Sequence, residues 1–251
     1  MQPLSYQLYS SRNFPPLGAT LRMLADIGYA QVEGFGGLYA DASALDDMAE
    51  GLRATGLAMP TGHFSRDMVR DQSSRVLTIA EVLGVKSIYV PHIMPDQRPS
   101  DSAGWLAFGK SLAEMARPYW DAGLEVGWHN HDFEVKATPQ GDLPINQIMA
   151  ADDRLVLELD VAWVVRGGVD PMALIARHGA RITAAHVKDI APKGEKANED
   201  GWADVGTGTM DWLALSAALK AAGCKTFVME HDNPSDHRRF AAQSFAAASK
   251  F

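Results

Sequence analysis

The strongest constraint on the fold of this chain is a beat in its hydrophobic pattern. A short apolar run is followed by a stretch with helical spacing, and the unit recurs eight times from one end of the sequence to the other. The runs are Tyr6–Tyr9, Ala30–Glu33, Leu57–Pro60, Val85–Val90, the Leu124, Val126, Trp128 stretch, Leu155–Asp160, Ile182–Lys188 and Thr226–Glu230. Between them, Leu17, Leu21, Leu24 and Ile27, or Val76, Ile79, Ala80 and Leu83, mark single apolar helix faces, closed by Gly28 and Gly84. Strands that alternate with helices pair in parallel through right-handed crossovers. Eight such units close on themselves, so the expected architecture is a single (β/α)8 TIM barrel of the α/β class over residues 1–251. The chain has 251 residues, which matches the roughly 250 that one such barrel takes.

Four of the later runs end in groups that are costly to bury. GWHNHDFE (Gly127–Glu134) packs two histidines, an amide and two carboxylates into one strand exit; LVLELD stops at Asp160; ITAAHVKD carries His186; FVMEHD carries Glu230. Unpaired polar groups in an interior are destabilising, so packing alone does not account for them. In a barrel of this class the C-terminal ends of all strands meet on one face, where active sites are built. Glu134, Asp160, His186 and Glu230 therefore become neighbours on one rim. Three carboxylates packed together repel and raise one another's pKa values. A divalent cation resolves the conflict, and three oxygen donors with one imidazole suit Mn²⁺ first, with Mg²⁺, Co²⁺ or Zn²⁺ also compatible. One geometric condition follows: Glu134 has the opposite strand parity to His129 and His131, so the chain must bend after His131 to bring it inward.

Other residues are placed near the same rim. His129 and His131 are expected to bind substrate hydroxyls or to orient Glu134, and His63 and His92 follow the third and fourth strands. Lys188 shares a face with His186, to meet the substrate or to pair with Glu158 one layer below Asp160. Trp163, Phe35 and Trp128 offer aromatic faces to a sugar or to the core. His237 and Asp236 read as solvated, Pro192–Gly208 as a polar loop or a lid, and Gly206-Thr207-Gly208 as a weak anion nest. The single cysteine, Cys224, reads as a buried inert thiol.

The motifs resemble those of the sugar phosphate isomerase/epimerase proteins of the xylose isomerase-like TIM-barrel superfamily. The similarity lies in YQLYSSR (Tyr6–Arg12), GWHNHDFE, LDVAWVVRGGVDP (Leu159–Pro171), HVKD (His186–Asp189), DVGTGTMDW (Asp204–Trp212) and MEHD (Met229–Asp232), in that order along nearly the whole chain. It implies a divalent metal held by Glu134, Asp160, His186 and Glu230, with Glu134 and Glu230 as the acid/base pair. Trp163 is a departure, because related ketose 3-epimerases carry a substrate-contacting histidine there. The arginine that follows their strand-seven histidine has no match among residues 187–196.

The implied chemistry is proton transfer at a carbon beside a sugar carbonyl, through an enediolate. Returning the proton to the other face epimerises that carbon; delivery to its neighbour isomerises aldose and ketose. Expulsion of a β-leaving group instead makes the same site a lyase or dehydratase of 3-keto sugars or inososes. A sugar-binding barrel without turnover would lack one of the two glutamates, and both are present. A net charge of -8 opposes a nucleic-acid partner such as the DNA of an abasic-site endonuclease. No apolar run approaches the roughly 20 residues of a membrane span, and MQPLSYQLYS lacks the basic and apolar parts of a secretory signal. The expectation is a cytoplasmic enzyme of a small sugar, with exposed helices that suit a homo-oligomer.

Overall fold

The computed structural model describes residues 3–251. Eight parallel strands close into a barrel: β1 (Leu4–Gln7), β2 (Gln31–Gly34), β3 (Ala58–His63), β4 (Ser87–Val90), β5 (Glu125–His129), β6 (Val156–Asp160), β7 (Ile182–Val187) and, after a short antiparallel pair β8 (Asp189–Ile190) and β9 (Trp202–Ala203), β10 (Thr226–Met229). The order around the barrel is β1, β10, β7, β6, β5, β4, β3, β2. The helices are α1 (Leu17–Ile27), α2 (Ala42–Thr55), α3 (Arg66–Asp71), α4 (Ser73–Leu83), α5 (Ser102–Asp121), α6 (Pro144–Met149), α7 (Val161–Arg166), α8 (Pro171–His178), α9 (Trp212–Ala221) and α10 (His237–Ala248). All eight barrel strands lie within a few residues of their sequence runs, and two of the differences carry function.

The first strand is set two residues earlier than Tyr6–Tyr9 and ends at Gln7, because the Gln7 side chain accepts the Tyr9 amide at 3.0 Å and turns the chain into a 3-10 helix over Leu8–Ser11. The third runs on past Pro60 to His63, which places that imidazole inside the barrel mouth instead of beyond it. The spacing of Leu213, Ala217 and Leu219 predicts one apolar face for α9, but the helix is rotated from it: Leu213 and Ala217 are exposed, while Trp212, Leu215 and Leu219 are buried. The Trp212 indole donates to the Lys188 carbonyl at 3.0 Å, and that bond fixes the rotation.

Residues pointing out of the barrel pack under the helices. Trp128 meets Phe108 of α5 edge-on, with ring centroids 5.2 Å apart. Burying side chains of this size stabilises by roughly 1.5–3 kcal/mol each. On the opposite parity Gly127 keeps the β5–β6 approach open, since a Cβ there would fall 2.0 Å from the Val156 carbonyl oxygen. At its C-terminal end the barrel interior is polar, with Gln7, Glu33, His63, His129, Glu158 and His186 all buried. No helix among the described residues is long and apolar enough to cross a membrane.

Candidate active site

Three adjacent strands, β6, β7 and β10, end in Asp160, His186 and Glu230. His186 Nδ1 lies 2.8 Å from Glu230 Oε2 and 3.9 Å from Asp160 Oδ2. Asp160 is locked in place from two sides. Its Oδ1 accepts the Trp163 amide at 2.9 Å as the cap of α7, and Asn130 brackets its backbone, accepting from its amide at 3.0 Å and donating to its carbonyl at 3.2 Å. The other oxygen, Oδ2, is buried and accepts no hydrogen bond. Lys188, itself buried, reaches the group from one side: Nζ is 2.8 Å from both Asp232 oxygens, 3.0 Å from Glu230 Oε2 and 3.5 Å from Asp160 Oδ2. Burial raises the Asp160 carboxyl to about 6 against the pull of Lys188 and His186. Burial also opposes ionisation of Glu230, but Lys188 and His186 outweigh it and hold that carboxyl well below the usual range.

A second layer lies beneath. Glu158 Oε2 is 2.6 Å from His63 Nε2, 2.9 Å from His129 Nδ1 and 3.3 Å from His186 Nε2. Glu33 Oε1 accepts from Gln7 at 2.8 Å and sits 2.7 Å from the same His186 nitrogen. Burial, then His186, drives His129 down to about 3. Burial also works against a charged His186, yet Glu158, Glu230 and Glu33 together carry it well above the ordinary imidazole value. Among the described residues, two sets have donor atoms close enough to share one cation: Asp160, His186 and Glu230 on the rim, and His63, His129, Glu158 and His186 below it.

Glu134 is in neither set. The chain does bend after His131, as a 3-10 turn over Phe133–Val135. The turn delivers the Glu134 carboxyl to the Trp128 indole at 2.7 Å and to the His131 amide at 2.9 Å. Burial pushes it up to about 8, with those two donors pulling the other way. Over the rim group opens a cavity of about 640 Å³, within the usual range for a small-molecule site. His63, His92, His129, His131, Trp163 and Glu230 line it, so five of the six residues expected to bind substrate face one space. Lys188 stands behind that lining, bound to carboxylates. His131 Nδ1 and Trp163 Nε1 are buried with no hydrogen-bond partner.

A family model described as xylose isomerase-like TIM barrel matches residues 21–249. The chain belongs to this family. Among solved structures of the fold, a sugar phosphate isomerase/epimerase from Parabacteroides distasonis superposes with a TM-score of 0.80 at 19% identity, covering 98% of this chain and 94% of that one. The 3-keto-D-glucoside 4-epimerase YcjR of E. coli gives 0.74 at 17% identity, with both chains covered fully (100%). The IolI protein, whose structure has a bound zinc atom, gives 0.69 at 19%, covering 100% and 96%. At these identities the likeness is one of fold. The rhizopine catabolism protein MocC of Rhizobium meliloti is 29% identical over 98 residues, 39% of this chain and 29% of its own length. The chain thus matches under a third of that curated relative.

Several residues take other places than the pattern of this family member suggested. The Gly206–Gly208 nest is filled from within: Asp189 accepts the amides of Gly206, Gly208, Met210 and Ile190 at 2.9, 3.1, 3.1 and 2.9 Å. No room is left for an anion. His237 is half-buried, stacked on Phe14 at 4.2 Å and bonded to Ser11 through Nδ1, while Asp236 is exposed as expected and caps α10. The loop after β7 is tied down by Arg239, which binds Glu199 at 2.6 Å and Asp204 at 2.8 Å. Lys188 pairs upward with Asp160, Glu230 and Asp232, not downward with Glu158. Sequence reasoning passed over Glu33 and Asp232. Glu33 had the same signal as the others, a carboxylate closing the run Ala30–Glu33, and Asp232 stands two residues past Glu230 in MEHD. Arg12 and Arg66 also line the cavity and carried no strand-end signal, and Tyr9, which closes the first run, had no charge or imidazole to mark it.

Proposed function

We propose that this protein is a divalent-metal-dependent isomerase or epimerase of a small sugar or keto-sugar, working through an enediolate. The observation that carries the reading is the convergence of Asp160, His186 and Glu230 at the inner end of a cavity rich in imidazole and aromatic groups. The donors fit a divalent cation: two carboxylates and one imidazole suit Mn²⁺, Mg²⁺, Co²⁺ or Zn²⁺, and the bare Asp160 Oδ2 is a buried acceptor that lacks a donor. Asp160, His186 Nδ1 and Glu230 would hold the ion, and Glu33 at His186 Nε2 fixes that ring's orientation and tautomer. Bound there, the ion supplies Lewis acidity to the carbonyl and hydroxyl oxygens of the sugar.

The protein's own groups then divide the proton work. Glu230 faces the cavity and is kept ionised by Lys188 and His186, which suits a general base. Glu134 is kept protonated by burial, with a value of about 8, which suits the acid that returns a proton. Two carboxyls whose environments drive them apart in this way are the usual basis of an acid/base pair. Glu134 meets substrate only by exchanging its bonds to Trp128 and His131, so its geometry in the free protein is a resting one. His131 and Trp163 line the cavity, and their Nδ1 and Nε1, buried and without a partner, are assigned to substrate hydroxyls reached by a small turn of either ring. A 3-keto-glucoside epimerase with the same fold supports keto-sugars among the candidates.

The test is carbon-bound hydrogen exchange followed by NMR. Protein loaded with Mn²⁺ or treated with EDTA is incubated in D₂O with ketoses, aldoses and 3-keto-glucosides. Metal-dependent deuterium incorporation, lost in Glu230→Gln, is the expected result, and the products separate epimerisation from β-elimination. Incorporation that survives both EDTA and Glu230→Gln would refute the assignment.

A further inference from the structure

We infer that the layer beneath the rim is a second metal site, taking a borderline transition ion such as Zn²⁺, Co²⁺ or Fe²⁺ through His63 Nε2, His129 Nδ1, His186 Nε2 and Glu158. The inference stands beside the rim reading and shares one side chain with it. Four strands, β3, β5, β6 and β7, each send one of these residues inward, and the donor atoms lie within 4.8 Å of one another. Bonds of about 2.0–2.2 Å to one ion place tetrahedral ligands about 3–4 Å apart; Glu158 Oε2 stands 2.6, 2.9 and 3.3 Å from the three imidazole nitrogens, so it would draw back a few tenths of an ångström from His63 and His129 to admit an ion. Three nitrogens and a carboxylate make a harder claim on a transition metal than on Mg²⁺ or Ca²⁺, which prefer all-oxygen shells.

Two further observations point to a cation and not only to a hydrogen-bonded network. Glu158 turns a single oxygen to all three imidazoles and leaves Oε1 buried with no partner; Glu33 Oε2 beside it is likewise bare. An ion bound by both Glu158 oxygens satisfies the first of these. The charge balance gives the second argument. Glu33 and Glu158 are both wholly buried, and the Lys188 ammonium is committed to Asp160, Glu230 and Asp232. The remaining source of positive charge is the imidazoles, which lie with ring centroids 4.4 to 5.3 Å apart. More than one imidazolium there sets like charges in contact, whereas one divalent ion offsets both carboxylates. His63 and His129 also line the cavity, so an ion has a way in.

The two sites are linked through His186, which turns Nδ1 to the rim and Nε2 to the layer below; Glu33 accepts the Nε2 proton while only the rim is filled, and with both ions bound that proton would be released and the ring would join the sites as an imidazolate. The sites are therefore separated by an imidazole ring and cannot share a bridging oxygen. The rim has open positions for substrate oxygens, while the inner donors are supplied by protein alone, so the inner ion is structural and electrostatic in role.

The experiment is a Co²⁺ titration of the metal-stripped full chain, read by elemental analysis and visible absorption. Two equivalents per chain are expected, one of them giving the intense bands of a nitrogen-rich four- or five-coordinate site. His63→Ala should lose that equivalent and its bands and keep the other; Glu230→Gln should do the reverse. A wild-type protein that takes one equivalent, lost in Glu230→Gln and kept in His63→Ala, overturns the inner site and leaves the rim reading standing. One equivalent with the opposite response upholds the inner site and overturns the rim. Binding of none overturns both. If His63→Ala does not fold, anomalous diffraction from Co²⁺-loaded wild-type crystals decides directly: a peak among His63, His129 and Glu158 upholds the inner site, and its absence overturns it.

Discussion

Lys188→Met removes the one ammonium that separates three carboxylates, Asp160 and Glu230 buried and Asp232 partly exposed, and its consequence follows from the distances. Nζ is 2.8 Å from Asp232, 3.0 Å from Glu230 and 3.5 Å from Asp160, and the side chain is 1% exposed. Removing one partner of a buried ion pair costs about 3–5 kcal/mol. For a chain of this size that is a fall of about 6–20 °C in Tm. The effect should depend on pH with a defined sign. In the wild type Glu230 is held below its ordinary 4.5, so its contribution to stability is present above that pH and is lost as pH falls through the folded value. Without Lys188 the carboxyls rise above their unfolded values, and stability is instead lost as pH rises through them. The gap between variant and wild type therefore widens from pH 5 to pH 8. Thermal unfolding followed by tryptophan fluorescence, with EDTA throughout, measures it. Addition of Mn²⁺ should restore part of the loss at pH 8, because a divalent ion on the rim supplies the missing charge. A loss under about 2 °C at pH 8, equal at pH 5, would refute the idea that these carboxylates are ionised together around the ammonium.

Two other perturbations test neighbouring claims. Glu134→Gln should lower substrate hydrogen exchange by about 100-fold or more and remove the limb of the pH–rate profile near pH 8, since the general acid is gone. Its stability should respond in the opposite sense to that of Glu230: with a folded value of about 8 against 4.5, the protonated acid's contribution is complete below pH 4.5 and is lost as pH rises through 8, a loss the glutamine variant lacks. Unchanged exchange would reduce Glu134 to a clamp on Trp128. Asp189→Asn keeps one oxygen for two of the four loop amides and turns an NH₂ toward the others, so about 2–6 kcal/mol should be lost, with faster amide exchange at Gly206, Gly208 and Met210 as the local readout. Intact protection at those amides would show that the loop is held by something else.

What could be read along the chain was whatever depends on neighbours in sequence. A parallel strand covered on both faces is a continuous apolar run, and a helix over it shows one apolar face, so eight repeats of that pair announce a closed barrel before any contact is known. The ends of those runs were equally legible: Asp160, His186 and Glu230 stand out because few strands close on a charge, and the barrel gathers them on one rim. Side-chain direction past the last strand residue was not legible. Glu134 and Glu230 look alike in sequence, yet a 3-10 turn carries the first to the Trp128 indole while the second stays against His186. The same holds for Lys188, whose position allowed a partner above or below; three carboxylates on one side settled it. Glu33 and His186 are 153 residues apart and touch at 2.7 Å only because the strands close into a ring. Pairing between buried charges is decided by distances that barrel closure sets, and closure is a property of all eight strands together.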